Sequence, residues 1–249
     1  MNNSSLSSQW REVVLGSILG DGSLKVQKGD HNARFSFKHS IHQEEYFLWK
    51  ASLLKDISSD KCHWHQKKDG WGDQKLRFQS LALEELTEIY NLTHKRGRLK
   101  IRRKWLNQLT PLSLAVWWLD DGSIIGNGRR GVICTDSFDY ESQKILARYL
   151  LVVWKVKTHV GRVSNKYQGT NREYYRLWFR SAEELKKFLC IILPFVKVSS
   201  MLPKVLLLYK ESNLQQRWIS EVVRLTSFSK AEVEKHLKLK KEKWSCFRE

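Results

Sequence analysis

The 249-residue chain has few cysteines, prolines and glycines, and it has no long apolar run. Its 4 Cys include no CxxC pair, which argues against a zinc knuckle or a disulfide framework and fits a reducing, intracellular compartment. With only 3 Pro and 13 Gly, the chain is not collagen-like or of low complexity. No stretch approaches the ~20 apolar residues of a membrane-spanning helix, and the polar N-terminus does not resemble a secretory signal.

Basic residues are abundant: 44 Lys+Arg face 26 Asp+Glu, giving a net charge of +18. A folded, aromatic-rich and strongly basic chain predicts a nucleic-acid partner, with an ordinary soluble basic enzyme as the alternative. Residues 89–119 contain no acidic side chain and predict a basic linker that lies against phosphates. A second basic cluster, residues 230–243, is either a phosphate-binding surface or a solvated helix face.

An internal repeat organises the chain. Residues 19–23 (LGDGS) recur as residues 119–123 (LDDGS), and residues 76–80 (LRFQS) resemble residues 177–181 (LWFRS). The similar offsets of the two matches predict two copies of a unit of ~100 residues. The predicted division is an N-terminal subdomain at 1–92, a basic linker at 93–110, a C-terminal subdomain at 111–209 and a basic helical extension at 210–249.

Hydrophobic periodicity changes in the same order within each copy and predicts α-β-β-α-β-β-α, an α+β fold. The predicted elements of the first copy are helices 11–20, 43–57 and 83–92 and strands 24–28, 34–38, 61–66 and 75–79. Those of the second copy are helices 112–120, 139–153 and 182–192 and strands 123–126, 131–135, 157–164 and 172–179.

The strands alternate apolar residues with basic or amide side chains and contain almost no acidic residue. Such a sheet has one apolar face and one face suited to a DNA groove, where Arg and Lys read guanine and Gln reads adenine. A solvated sheet face is the alternative. The predicted DNA-binding residues are Lys25, Gln27, Arg34, Ser36, Lys38, Lys61, His63, His65, Lys75, Arg77, Gln79, Arg129, Arg130, Arg162, Arg172, Tyr174, Arg176, Trp178 and Arg180.

Each copy has an apolar helix that ends in Asp-Gly, at Asp21 and at Asp121. Small residues such as Gly16 and Ala115 would allow two such helices to approach closely across a pseudo-twofold axis. Carboxylates at two negative helix ends repel each other, and divalent cations relieve that repulsion. A lone Asp-Gly is usually a cap or turn, but its duplication at matching positions favours a metal site.

Residues 15–22 (LGSILGDG) and 114–122 (LAVWWLDDG) resemble the two motifs of the LAGLIDADG homing endonucleases. Residues 109–115 (LTPLSLA) and 135–138 (TDSF) resemble the monomeric, intron-encoded branch of that family. The resemblance covers roughly residues 10–210.

It implies two saddle-shaped antiparallel sheets astride a long double-stranded DNA site. It also implies a monomer that cuts both strands across the minor groove with Mg²⁺, leaving short 3′ overhangs and promoting intron mobility. Asp21 and Asp121 match the metal-binding positions of the family, with two or three Mg²⁺ ions shared by the aspartates and the scissile phosphates. Gly20 and Asp120 match the preceding position, whose backbone carbonyl helps to coordinate metal. The compartment implied is an organelle or a prokaryotic cytoplasm.

The family also places a basic residue near each scissile phosphate. Lys100 and Arg98 compete for this role in the first copy. In the second copy Met201 stands where a Lys is usual, and Lys204 or Lys197 is expected to replace it; without a replacement, one strand would be cut more slowly. Lys38 and Asp136 are further candidates for organising the attacking water.

Two other functions fit the same motifs: an RNA maturase that assists splicing of its host intron, with that intron RNA as a partner, and a non-cutting DNA-binding regulator. Loss of a motif aspartate would favour either one, and both aspartates are present. An intein is not expected, because the sequence has no terminal His-Asn splice junction.

Overall fold

The computed structural model describes residues 6–67, 74–167 and 170–244. Up to residue 106 its elements are α1 (Leu6–Ser17), β1 (Ser23–Val26), β2 (Ala33–Ser40), α2 (Glu44–Ser52), β3 (His63–Gln66), β4 (Lys75–Gln79), α3 (Glu84–Thr93), β5 (His94–Lys95), β6 (Arg98–Leu99) and α4 (Arg103–Leu106). The remaining elements are α5 (Pro111–Asp121), β7 (Gly122–Ile125), β8 (Arg130–Ile133), α6 (Tyr140–Trp154), β9 (His159–Tyr167), β10 (Thr170–Phe179), α7 (Ala182–Ile192), α8 (Ser212–Leu225) and α9 (Lys230–Lys243).

The order predicted from periodicity, α-β-β-α-β-β-α, is confirmed in both copies, and so is the α+β fold class. Each copy forms an antiparallel four-stranded sheet, ordered β1-β2-β4-β3 in the first and β7-β8-β10-β9 in the second. The two sheets therefore have the same topology. Among the described helices, none is long and apolar enough to cross a membrane.

One face of each sheet packs into a core. In the first sheet Phe35, Phe37 and Phe78 are buried, and in the second Leu177 and Phe179 are buried. These residues alternate with polar ones, because successive side chains of a strand point to opposite faces. Each sheet therefore has one face free for a polar function.

The chain divides into two compact units, residues 1–120 (unit 1) and 121–249 (unit 2). Most of α5 belongs to unit 1, where it packs closely on α1. A Cβ added to Gly16 would stand 2.3 Å from the carbonyl oxygen of Ser113, so only glycine fits there. The hydroxyl of Ser113 also donates to the carbonyl of Glu12 at 2.9 Å. This contact confirms that small residues let the two helices approach.

The predicted linker, residues 93–110, is more structured than its composition indicated. It contains the β5–β6 pair and the short helix α4. Trp105 anchors the segment: its ring is buried, and its indole N–H donates to the carbonyl of Lys100 at 2.8 Å. The four-part domain division remains a prediction from the sequence repeat.

Unit 2 continues beyond its repeat. After α7 the chain makes a 3₁₀ turn at Ser199–Lys204 and then runs through a buried segment, residues 205–209. Helices α8 and α9 follow and form the C-terminal extension. The structure describes this extension as far as residue 244, and the predicted extension at 210–249 stays a prediction.

Candidate functional site

A groove of about 390 Å³ runs along the polar face of the unit 1 sheet. It is lined by carboxylate, hydroxyl, basic, amide and aromatic side chains from all four strands of the sheet and from the end of the first motif. They include Asp21, Ser23, Lys25, Gln27, Ser36, Lys38, Trp64, Arg77 and Gln79. The structure therefore brings six of the predicted DNA-binding residues to one surface together with the first motif aspartate.

The edge strand β3 faces the other way from the prediction. Trp64 pairs with Arg77 across the ladder, whereas His63 pairs with Phe78 and His65 with Leu76. Directly opposed residues of an antiparallel pair share a face, so Trp64 lies on the groove face and the two histidines lie on the core face.

The assignment of His63 and His65 to the DNA-binding face is therefore wrong. The ring of His63 contacts that of Phe47 edge to face, at 6.1 Å between centroids. Lys61 lies in the turn that precedes β3, and Lys75 shares the groove face with Arg77.

In unit 2 the polar sheet face carries Arg172, Tyr174, Arg176 and Trp178, at alternate positions of β10. Arg130 and Arg180 continue this face on β8 and beyond the end of β10. Arg162 does not belong to it: it stands opposite Tyr175, on the other face, and its guanidinium lies 3.0 Å from Glu173. The prediction that Arg162 lies on the DNA-binding face is therefore wrong. As with His63, strand pairing places its side chain on the opposite face of the sheet. Arg129 lies in the β7–β8 turn, with its guanidinium 5.9 Å from the ring centroid of Tyr209.

Arg34 and Arg176 each have an acidic neighbour. Arg34 bonds Asp30 at 2.8 Å, and this contact lowers the pKa of Asp30. Arg176 donates to both carboxylate oxygens of Asp136, at 2.6 and 2.7 Å, which raises the pKa of Arg176. Asp136 thus acts as the acceptor that orients Arg176.

Asp21 stands at the end of the turn that closes α1, where its side chain is 42% exposed. Its Oδ2 lies 3.4 Å from Nδ1 of His39, a residue whose ring is buried beside Phe37 and Tyr46. The first motif therefore presents a carboxylate that opens on the groove and is backed by a buried imidazole.

Asp120 has a different environment. Its carboxylate is fully buried and accepts from the Lys50 ammonium at 2.7 and 2.9 Å and from the Tyr46 hydroxyl at 2.8 Å. Oδ2 of Asp120 also accepts from the backbone N–H of Asp21 at 3.4 Å. The side chain of Asp120 thus fixes the backbone of the first motif aspartate.

One group of side chains in the described residues has the spacing of a metal site: Asp21, His39 and Asp120 each offer an atom within 4.8 Å of the others. Both oxygens of Asp120 already bind the Lys50 ammonium, so this carboxylate fits a hard cation poorly. Asp21 fits Mg²⁺ well, because Mg²⁺ prefers one or two exposed carboxylates and keeps water and phosphate ligands.

The corresponding region of unit 2 gathers several charged groups around Cys134. Burial raises the pKa of this thiol, Arg176 and Lys204 lower it, and Asp136 and Asp121 raise it. The backbone N–H of Cys134 donates to the carbonyl of Asp121 at 3.1 Å. The second motif aspartate therefore shares its surroundings with Lys204.

Comparison with known proteins agrees with this geometry. The model of the LAGLIDADG DNA endonuclease family matches residues 11–188. The chain belongs to this family.

Two of its relatives carry different names. The chain is 36% identical over 159 residues to the RecA protein of Mycobacterium gastri, covering 58% of this chain and 36% of that protein. It is 29% identical over 210 residues to the cytochrome b mRNA maturase bI2 of Saccharomyces cerevisiae, covering 79% of this chain and 48% of that protein. The chain thus spans about a third to a half of the length of these relatives.

Among solved structures, the homing endonuclease I-WcaI bound to its DNA recognition sequence superposes with a TM-score of 0.67. The match covers 83% of this chain and 89% of that one at 18% identity. At this identity the likeness establishes the LAGLIDADG fold, and it confirms the fold class predicted from the sequence.

The structure separates the basic candidates of the LAGLIDADG sites. Met201 is a buried core residue, and Lys197 is exposed. Lys204 is half-buried and lines a cleft with Ser123, two residues after Asp121. Of the two predicted lysines, Lys204 is therefore the one that the structure places near the second motif.

In unit 1, Leu99 lines a cleft with Gly22 and Ser23, which places β6 beside the first motif. Arg98 and Lys100 flank Leu99, so both remain predicted candidates.

Sequence reasoning missed Lys50, Tyr46, His39 and Trp64. Lys50 and Tyr46 lie 70 and 74 residues from Asp120 in the chain, so no local pattern connects them. For Trp64 the pairing of β3 was the missing information, because a one-residue change of register reverses the face of every side chain.

Proposed function

We propose that the protein is a site-specific double-strand DNA endonuclease of the LAGLIDADG type. It would act as a monomer, use Mg²⁺, leave short 3′ overhangs and promote the mobility of its intron. One observation carries the proposal: the first motif aspartate opens on a groove whose walls carry Lys, Arg, Gln and Trp side chains. Net charge of +18 adds long-range attraction to a polyanion.

DNA recognition would use the polar faces of the two sheets. Phosphate contacts by lysine and arginine supply affinity and make it salt-dependent. Bidentate arginine and glutamine contacts to base edges supply specificity. The unit 1 groove offers Arg77 and Gln79 for base contacts, while Lys25 and Lys38 supply charge at its walls.

Asp21 and Asp121 would hold Mg²⁺ with the scissile phosphates, and the backbone carbonyls of Gly20 and Asp120 would contribute. Bound Mg²⁺ stabilises charge on the attacking and leaving oxygens of an in-line displacement. Lys204 would stabilise negative charge on the phosphate in unit 2, and Lys100 or Arg98 would do so in unit 1. Within unit 1, the Asp120 carboxylate holds the Asp21 backbone N–H, and His39 lies against its carboxylate.

The test uses a supercoiled plasmid as the substrate. It carries the two stretches of DNA that flank the insertion containing the coding sequence, joined directly to each other with that insertion removed. Mg²⁺ should give a linear product and EDTA should abolish it. Asp21→Asn and Asp121→Asn should each lower the rate of cutting by at least about 100-fold. Asp56→Asn, a change of the same chemistry at an exposed position of unit 1, should cut at the wild-type rate. Linearisation that persists in both motif variants would refute the proposal.

A second candidate function, RNA maturation, is favoured by one observation: the similarity to the maturase bI2 covers 79% of this chain. A maturase would restore splicing of its host intron transcript in vitro. It would continue to do so after Asp21→Asn, because splicing assistance needs no metal at that carboxylate. Splicing activity without plasmid cutting would therefore favour this function over the endonuclease.

A further inference from the structure

The segment that follows Lys204 is unusual in its burial. Residues 205–209 (VLLLY) are five consecutive buried residues, and they lie outside the named strands and helices. Buried backbone N–H and C=O groups need partners, and a segment outside regular structure must find them elsewhere. Leu208 finds one inside unit 2, since its N–H donates to the carbonyl of Gly128 at 3.0 Å.

Helix α8 supplies other partners from its side chains. The indole N–H of Trp218 donates to the carbonyl of Val205 at 3.3 Å. The amide of Gln215 donates to the carbonyl of Leu207 at 3.1 Å and accepts from the N–H of Tyr209 at 2.9 Å. Both Trp218 and Gln215 are buried, so these bonds are shielded from water.

Helix α9 supplies the contact nearest to Lys204. The Lys240 amine donates to the carbonyls of Pro203 and Leu206, each at 2.6 Å. Lys240 is only 7% exposed, so it does not offer its charge to a DNA phosphate. Its two bonds instead bracket Lys204, one on the residue before it and one two residues after it.

Lys204 is the residue whose position these bonds determine. It lines a cleft of about 340 Å³ with Ser123, His236 and Lys243. It also acts on the Cys134 thiol together with Asp121. A small shift of its backbone would therefore change its distance from the second motif.

We propose that Lys240 is a positioning residue for the second cleavage site: the C-terminal extension, through Lys240 above all, holds the backbone around Lys204 in the place that cleavage of one DNA strand requires. The proposal rests on the proposed endonuclease function. It gives the extension a role in one of the two sites, separate from general DNA affinity.

The test compares Lys240→Met with Lys238→Met in the full chain. Methionine keeps a long apolar stem at position 240 and removes the donors to both carbonyls. Lys238 is exposed on the same helix, so the same substitution there leaves the contacts of the segment intact. Each strand of the flanking-DNA substrate carries its own end label, and rates are measured with enzyme in excess.

Lys240→Met should slow the cleavage of one DNA strand on the order of 10–100-fold, since displacing a group of the site by about 1 Å costs that much in rate. This strand should be the same one that Lys204→Met slows, so nicked DNA should accumulate. The other strand and the affinity for DNA should stay at the wild-type level, as should both strands in Lys238→Met. Trp218→Phe, which keeps an aromatic ring and removes one donor, should give a smaller loss on the same strand.

Hydrogen exchange provides a readout that needs no cutting. Lys240→Met should accelerate exchange of the amides at residues 204–209, and Lys238→Met should leave them unchanged. Equal slowing of both strands, no slowing, or unchanged exchange would overturn the positioning role. A wild-type chain that cuts neither strand would instead refute the endonuclease function, and the exchange data would still decide whether Lys240 holds the segment.

Discussion

Replacing Lys50 by methionine removes an ammonium group that lies 2.7 Å from Oδ2 and 2.9 Å from Oδ1 of Asp120, with both side chains fully buried. At ~2.8 Å and an effective dielectric constant of ~20, the direct attraction is about 6 kcal/mol, most of it offset by the cost of burying both charges. The pair itself therefore contributes little net stability. Removing one partner is different, because the carboxylate remains buried without its counter-charge.

The expected loss for Lys50→Met is about 3–5 kcal/mol in the free energy of unfolding. It is measured by urea unfolding, followed by tryptophan fluorescence and far-UV circular dichroism. Lys55→Met is the matched control: this exposed lysine follows α2, and its loss should stay within about 0.5 kcal/mol.

The double variant Lys50→Met/Asp120→Asn distinguishes the explanation from simple loss of packing. Asparagine is uncharged, and its amide oxygen still accepts from the Tyr46 hydroxyl. The double variant should therefore regain at least about 1–2 kcal/mol over Lys50→Met alone, as expected when an unpaired buried charge is removed. If it is as unstable as the single variant or less stable, the charge argument is wrong.

Three further predictions follow from individual contacts. Gly16→Ala should cost about 1–3 kcal/mol of stability, because its Cβ would meet the backbone of Ser113 at 2.3 Å and backbone cannot swing aside; urea unfolding measures the loss. Trp64→Ala should weaken DNA binding about tenfold in a fluorescence titration, whereas His63→Ala should not, because only Trp64 lies on the groove face. For Lys240, burial lowers the pKa from 10.5 to about 7. Between these two pKa values unfolding takes up a proton, so the free energy of unfolding should rise with pH above 7 by up to about 1.4 kcal/mol per pH unit. Lys240→Met keeps the same basic neighbours around the cleft and should lack this rise. Urea unfolding midpoints at pH 6, 7.5 and 9 measure the difference.

Local patterns in the sequence were sufficient for much of the fold. The helix predicted at 182–192 is the observed α7 and the strand predicted at 75–79 is the observed β4, and the other helices and strands of the repeat differ by a few residues at their ends. Amphipathic periodicity and turn residues are local signals, so they survive without knowledge of the tertiary structure. The duplicated Asp-Gly was visible for the same reason.

The candidate site needed non-local information. From the sequence alone Lys50 is expected to be a solvated lysine in a helix. Only the packing of α2 against α5 reveals its buried partner, Asp120. Strand β3 lies at an edge and is short, so nothing in its sequence fixes which face Trp64 occupies. The extension likewise reads as a basic helix, although Lys240 points inward to backbone carbonyls.

Strand pairing also revises the equivalence of the two copies. Ser23 pairs with Ser36, which pairs with Gln79. In unit 2 the equivalent series of paired residues is Ser123, Val132 and Trp178. Gln79 is therefore equivalent to Trp178, 99 residues later, and the match of residues 76–80 with 177–181 is two residues out of structural register.

This equivalence shows how the two sites have diverged. In unit 1, Lys38 stands opposite Arg77 on the groove face. In unit 2 the positions equivalent to Lys38 and Arg77 are held by Cys134 and Arg176. The guanidinium of Arg176 is already bound by Asp136. At this pair of positions the second copy therefore has one basic side chain fewer, and Asp136 screens the arginine it keeps. Because positive charge stabilises the phosphate in the transition state, the strand cut in unit 2 should be the slower one and should depend more strongly on the position of its remaining lysine. Strand-specific rates of the wild-type chain test this directly, and equal rates for the two strands would contradict the asymmetry.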